Sequence, residues 1–230
     1  MLVVEVFTDP SCPWSWITSR WLKEVAPQRN LELRWRSYSL QIRDGGDLPP
    51  SMTEEERRVA REWVTASRCV LRVFEALRAQ GAEDAVDSLY TEWGHRSTAL
   101  VGTQATLFRP GSPPPAPPPR LLLDCLHACG LDPELGGAAD DPAWDAAIIS
   151  SMEEAWAFVG AKAQTPTLVL KGDPPRGLKG PVMSPAPTGE RALRLWDAFQ
   201  ILADEPGFFE VMRPRQLPYL PKLESGPSDQ

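Results

Sequence analysis

Among the four cysteines, Cys12, Cys69, Cys125 and Cys129, the first stands in the setting that makes a thiol reactive. The apolar run Leu2-Val3-Val4-Glu5-Val6-Phe7 precedes it, and an amphipathic segment opens immediately after it at Pro13. This is a strand-to-helix junction. Proline suits the first helical position, because its fixed φ is helix-compatible and its missing N–H would have been unpaired there anyway. Cys12 is then the N-cap, where free first-turn N–H groups and the positive end of the helix dipole favour a thiolate. Helix N-terminal cysteines have pKa values lowered from about 8.5 into the range of about 3.5–7.5, which makes them nucleophiles at neutral pH. One turn on, at the position of the second cysteine in a Cys-x-x-Cys redox site, stands Ser15. Its hydroxyl can hydrogen-bond to a thiolate but cannot resolve a mixed disulfide, so a redox cycle here needs an outside thiol.

The other candidates have plainer readings. Cys125 and Cys129, with His127 between them, offer at most two ligands on one helix face, and no second pair stands at structural-zinc spacing, so no metal is expected. They and Cys69 read as core thiols, since reduced cysteine is among the most buried residue types. His95, in Trp93-Gly94-His95-Arg96, could face the thiol from a helix end, but a cationic side chain at that position is ordinary. Trp14, Trp16 and Trp21 could wall a planar substrate. Trp21 falls seven residues after Trp14 on the apolar face and reads as core, leaving Trp14 at the site.

The elements that position Cys12 follow from periodicity. Leu2 to Phe7 is a buried strand, Pro13 to about Gln28 a helix with Trp14, Ile17, Trp21, Leu22 and Val25 on its apolar face, and Leu31 to Tyr38 alternates as a second strand. After the turn-rich stretch Arg43–Pro50, Thr53 and Glu56 form a capping box for a helix reaching Gly81, with Val59, Trp63, Ala66, Val70, Val73 and Leu77 as its seam. Helices at about 84–94, 120–130 and from Asp141-Pro142 onward complete a helical block. Ser112 to Pro119 form a polyproline II segment, read as a connector between helices in preference to a docking peptide. Thr167–Leu170 resumes as a strand, Leu178–Val182 is its short partner, and Thr188 caps a closing helix with Ala192, Leu195, Trp196, Phe199 and Leu202 inward. The order is β-α-β, helices, β-β-α. It implies an α/β thioredoxin-like fold with an inserted all-α subdomain: residues 1–43 and 161–212 form the discontinuous thioredoxin-like domain, 44–160 the insertion, and 213–230 a tail.

Composition narrows the partners. The formal charge is −7 and the 24 Lys and Arg residues are scattered among acids, so no basic stripe tracks a phosphate backbone and nucleic acid is not expected. No apolar stretch reaches membrane-spanning length, and Leu2–Phe7 lacks the flanks of a signal segment. Four irregularly spaced cysteines in a chain this long point to reduced thiols and a cytoplasmic setting.

These residues resemble the DsbA-like thioredoxin superfamily, on the C-P-W-x site after the first strand, the helical block, and Gln164-Thr165-Pro166-Thr167 before a strand. Asp9-Pro10-Ser11-Cys12-Pro13-Trp14 running into Trp16–Trp21, with Gly180–Ser184 and Leu195–Ala198, is similar to its FrnE-like and mycothiol-dependent nitroreductase subgroup. The resemblance weakens at the proline run and after Arg213. It implies a cis Thr165–Pro166 peptide beside the cysteine, turning the Thr165 backbone toward a thiol cofactor or substrate. Cys12 and Ser15 then carry the chemistry and Pro13, Trp14, Thr165 and Pro166 bind the cosubstrate, although the subgroup has cysteine where Ser15 stands. A lone first cysteine resembles monothiol glutaredoxins. The implied activity is a thiol-dependent oxidoreductase in which Cys12 works with a low-molecular-weight thiol, mycothiol or a similar one, to reduce a disulfide or electrophilic small molecule; a homodimer is compatible with it. Two alternatives stand beside it: a kappa-class-like thiol-cofactor transferase or isomerase, which would have serine at position 12, and a binding protein that kept the fold and lost turnover.

Overall fold

The computed structural model describes residues 1–48, 50–101, 113–161 and 163–212; the tail lies outside them, as does Ser112 before the proline run. β1 (Leu2–Thr8) is the inner strand beside β2 (Leu31–Ser37), paired parallel from Leu2↔Leu31 to Thr8↔Ser37. A parallel pair needs a crossover connection. Helix α1 (Pro13–Arg29) supplies it, and its carboxyl end turns directly into β2 through Asn30, whose φ of 52° is the left-handed conformation that asparagine tolerates at a helix end. On its other side β1 pairs antiparallel with β3 (Thr167–Leu170), which pairs antiparallel with β4 (Arg176–Lys179). The order β2-β1-β3-β4 buries the apolar run of β1 between neighbours on both sides.

Between β2 and β3 come α2 (Leu40–Asp44), α3 (Glu54–Ala79), α4 (Glu83–Val101), α5 (Leu121–Ala128), α6 (Gly136–Asp140) and α7 (Asp145–Val159); α8 (Gly189–Asp204) closes the described chain. Thr53 and Glu56 form the expected capping box of α3. Residues 133–135 and 142–144 are 3-10 turns. α1 and α8 pack through Trp21 and Trp196, whose rings lie 5.9 Å apart, and the Trp21 indole N–H donates to the Ala192 carbonyl at 3.0 Å. α7 packs against β2, β3 and β4, while α3 packs against α4, α6 and α7.

Several details depart from the periodicity reading. α2 occupies part of the stretch read as turns, started by Ser39, whose hydroxyl accepts from the Ile42 N–H at 3.2 Å. α4 does not stop at Gly94. It continues through Gly94 to Val101, and a Cβ at position 94 would lie 2.1 Å from the Trp16 ring, so the close approach of the indole requires glycine there. Glycine inside a helix costs about 1 kcal/mol relative to alanine, and here it admits a buried indole. Thr188 makes no side-chain cap; the Gly189 N–H donates to Glu24 at 2.9 Å instead. On α8, Leu195 and Leu202 face outward, while Leu193 and Ala203 join Ala192, Trp196 and Phe199 in the core.

α3 and α7 are joined by an ion-paired knot. Arg72 grips both oxygens of Asp145 at 2.9 Å, Arg68 binds the same carboxylate, and Arg72 also donates to the Ala139 carbonyl at 2.9 Å. The Arg72 hydrogen bond leads the effects that hold the Asp145 carboxyl below the usual carboxylate range. A depressed carboxyl contributes stability that is fully present above its unfolded pKa and is lost as pH falls through the folded value. The knot therefore holds its full contribution at neutral pH and loses it progressively as pH falls below about 4, the ordinary aspartate value. Replacing Asp145 with Asn should leave two arginines facing each other in a largely buried site and cost about 2–4 kcal/mol, read in urea unfolding at neutral pH. A loss below about 0.5 kcal/mol would show that the knot contributes little.

Candidate active site

Cys12 is the N-cap of α1, with extended backbone (φ −85°, ψ 111°) and Pro13 as the first helical residue. Its N–H donates to the Asp9 carbonyl at 2.9 Å, which closes the turn after β1, and its carbonyl accepts from the Trp16 N–H at 3.2 Å. The thiol Sγ lies 3.8 Å from the Thr165 carbonyl oxygen. The Thr165–Pro166 peptide is cis, as the resemblance implies. Pro166 is buried, and its carbonyl accepts from the Gly180 N–H at 2.7 Å, tying the site to the strand behind it.

A cavity of about 400 Å³ opens beside the sulfur. Cys12, Pro13, Trp14 and Thr165 line it, together with Trp16 from α1, Val59 and Trp63 from α3, and Ser97 and Thr98 from α4. Its size is that of a small-molecule site, and its aromatic and apolar walls suit a ligand of similar character. Ser15 and Pro166 sit behind the wall. The Ser15 Oγ and Thr165 Oγ1 are both buried without a hydrogen-bond partner. Unpaired buried polar atoms are rare enough in native proteins that each needs a reason, and a redox or catalytic role is one.

Several contributors are not evident from the sequence pattern. Asp9 is fully buried and receives the Ser11 N–H at 2.7 Å, the Ser11 hydroxyl at 2.6 Å, the Leu40 N–H at 2.7 Å and the Ser67 hydroxyl. It knots the thiol turn to α2 and α3. Burial pushes its carboxyl up against the opposing pull of these hydrogen bonds. Arg43 of α2 lines the cavity and is clamped to Asp44 at 2.5 and 2.6 Å. Burial alone would lower its guanidinium, but the hydrogen bond and charge of Asp44 lead the effects that hold it above the ordinary value. Trp16, one of the three tryptophans that could wall a substrate, lines the cavity beside Trp14. His95 does not reach the thiol: it packs edge-on against Trp16, ring centroids 5.2 Å apart, and burial lowers its pKa.

The remaining cysteines lie away from the cavity. Burial pushes the Cys125 thiol up to about 12 and raises Cys69 and Cys129. All four are free, and among the described residues no group of three or more His, Cys, Asp or Glu side chains could hold a metal ion. Iodoacetamide at pH 7 should therefore label Cys12 before the other three, read by peptide mass mapping of the folded protein. Faster labelling of Cys69 or Cys125 would put the reactive thiol elsewhere.

A cysteine at the head of the first helix of a β-α-β, β-β-α sheet, facing a cis-proline loop, defines a thioredoxin-fold thiol–disulfide oxidoreductase. The comparisons narrow the class. Residues 11–213 match the family model described as mycothiol-dependent nitroreductase Rv2466c, and the chain belongs to that family. It is 29% identical over 216 residues to the uncharacterized protein Rv2286c of Mycobacterium tuberculosis, an alignment covering 94% of this chain and 83% of that protein. Its fold is similar to that of the probable DsbA oxidoreductase SCO1869 from Streptomyces coelicolor, with a TM-score of 0.52, 16% identity, and 92% of this chain and 94% of that one covered.

Proposed function

We propose that this chain reduces small disulfides with a single nucleophile, Cys12, and a low-molecular-weight thiol, mycothiol by family, as cosubstrate. The observation that carries the reading is the cysteine geometry: Cys12 is the one cysteine among the described residues that lines the cavity, and serine stands one turn further on. The Cys12 thiolate attacks one sulfur of the substrate disulfide. That S–S bond breaks, a new one forms to Cys12, and the departing thiolate takes a proton from solvent. A small thiol then attacks the mixed disulfide as its thiolate, restoring Cys12 and leaving with the transferred sulfur as a new disulfide.

In this reading the backbone of Thr165 lies along the incoming thiol, Pro166 fixes that loop, and Pro13 and Trp14 border the sulfur. Ser15, whose Oγ has no hydrogen-bond partner in the structure, stands in place of a resolving thiol and would have to turn toward Cys12 to donate to its thiolate. Four free cysteines fit a reducing, cytoplasmic setting. Among the described residues no helix is long and apolar enough to cross a membrane.

Intact-mass measurement after exposure to an oxidised small thiol tests the reading. One adduct per chain, mapped to Cys12 and stable after the reagent is removed, is the expected result. An unmodified protein, or an adduct on Cys129, would overturn it.

A further inference from the structure

We propose that Trp63 and the proline segment make the Cys12 site selective for small-molecule disulfides over disulfides embedded in polypeptides; the inference rests on the single-thiol reading above. Pro113 and Pro114 line the same cavity as Cys12, so the run that reads as a connector is a wall of the site. It is pinned at two points. The Trp63 indole N–H donates to the Pro115 carbonyl at 3.0 Å, and the Leu121 N–H at the start of α5 donates to the Pro118 carbonyl at 3.0 Å. Trp63 is buried and meets Trp93 edge-on, with centroids 6.4 Å apart. The Trp93 indole in turn donates at 3.2 Å to the carbonyl of Pro10, two residues before Cys12. Wall and thiol turn are thereby held in one packed unit.

The chemistry of the wall follows from its residue type. Proline fixes φ and has no N–H, so the segment is stiff and its prolines cannot donate to an extended peptide laid beside them. Recognition of an extended chain draws affinity from main-chain hydrogen bonds. A polypeptide disulfide meets a donor-poor wall, and its flanking backbone must also reach a sulfur in a residue only 7% exposed. A small disulfide enters a cavity of about 400 Å³ without either penalty.

The test compares the rate of Cys12 mixed-disulfide formation with bis(2-hydroxyethyl) disulfide and with oxidised insulin, each normalised to free cysteine. Wild-type protein should favour the small disulfide by about 100-fold or more. Trp63→Phe, which keeps an aromatic ring and removes the N–H, should raise the ratio of the insulin rate to the small-disulfide rate about fivefold, the factor expected from one hydrogen bond. Equal normalised rates in the wild-type protein would overturn the inference while leaving the single-thiol reading intact, and need no variant that folds. Equal acceleration of both substrates by Trp63→Phe would also overturn it. No Cys12 adduct with either reagent would overturn the inference and the functional reading together.

Discussion

Replacing Cys12 with Ser should lower thiol-dependent turnover by about 10³-fold or more, the scale seen when a nucleophile is removed from an otherwise intact site. The loss is one of chemistry. Serine keeps the N-cap backbone, the contact with the Asp9 carbonyl and nearly the same volume, so the thermal midpoint should move by less than about 4 °C, the shift that about 1 kcal/mol produces in a chain of this size. The matching changes at Cys69, Cys125 and Cys129 should leave the rate within about twofold, because none of those residues lines the cavity. A Cys12→Ser protein that still turns over at a tenth of the wild-type rate would show that another group attacks the substrate.

Ser15→Cys should change the order of the second step. Positions 12 and 15 are neighbours on the first turn of α1, and side chains three apart on a helix meet on one face. A thiol at 15 would attack the Cys12 mixed disulfide from within. Intramolecular attack in a well-oriented pair outruns attack by dilute external thiol by orders of magnitude, so release should accelerate by at least about 100-fold at about 1 mM thiol and lose its dependence on thiol concentration. The variant should then hold a 12–15 disulfide, visible as the loss of two free thiols. If the variant releases its adduct no faster than the wild-type protein, position 15 does not have access to the Cys12 sulfur.

The core of this site is legible in the chain because its signals are local. An apolar run, a cysteine and a proline define a strand, a cap and a helix start within a dozen residues, and Thr53 with Glu56 marks α3 in the same way. What the pattern does not show depends on contacts distant in sequence. Gly94 looks like a helix stop until the Trp16 ring is seen to occupy the space a Cβ would need. Asp9 sits beside Cys12 in the motif, yet its role appears only when Ser67 and the Leu40 N–H arrive from α3 and α2. Trp63 satisfies the periodicity of α3 as a core residue, and nothing in that periodicity shows that its N–H holds the Pro115 carbonyl of the segment that lines the cavity. Leu195 and Leu202 have the right hydropathy for the inner face of α8 but the wrong rotation, and smaller or adjacent residues take the core positions.

The release rate of the wild-type Cys12 adduct, measured against the concentration of added small thiol, tests the single-thiol account most directly. Without a resolving cysteine, release should rise in proportion to thiol concentration and approach zero when none is added. A rate that stays constant across the concentration series would mean that a second cysteine of the same chain resolves the adduct, and would contradict the account.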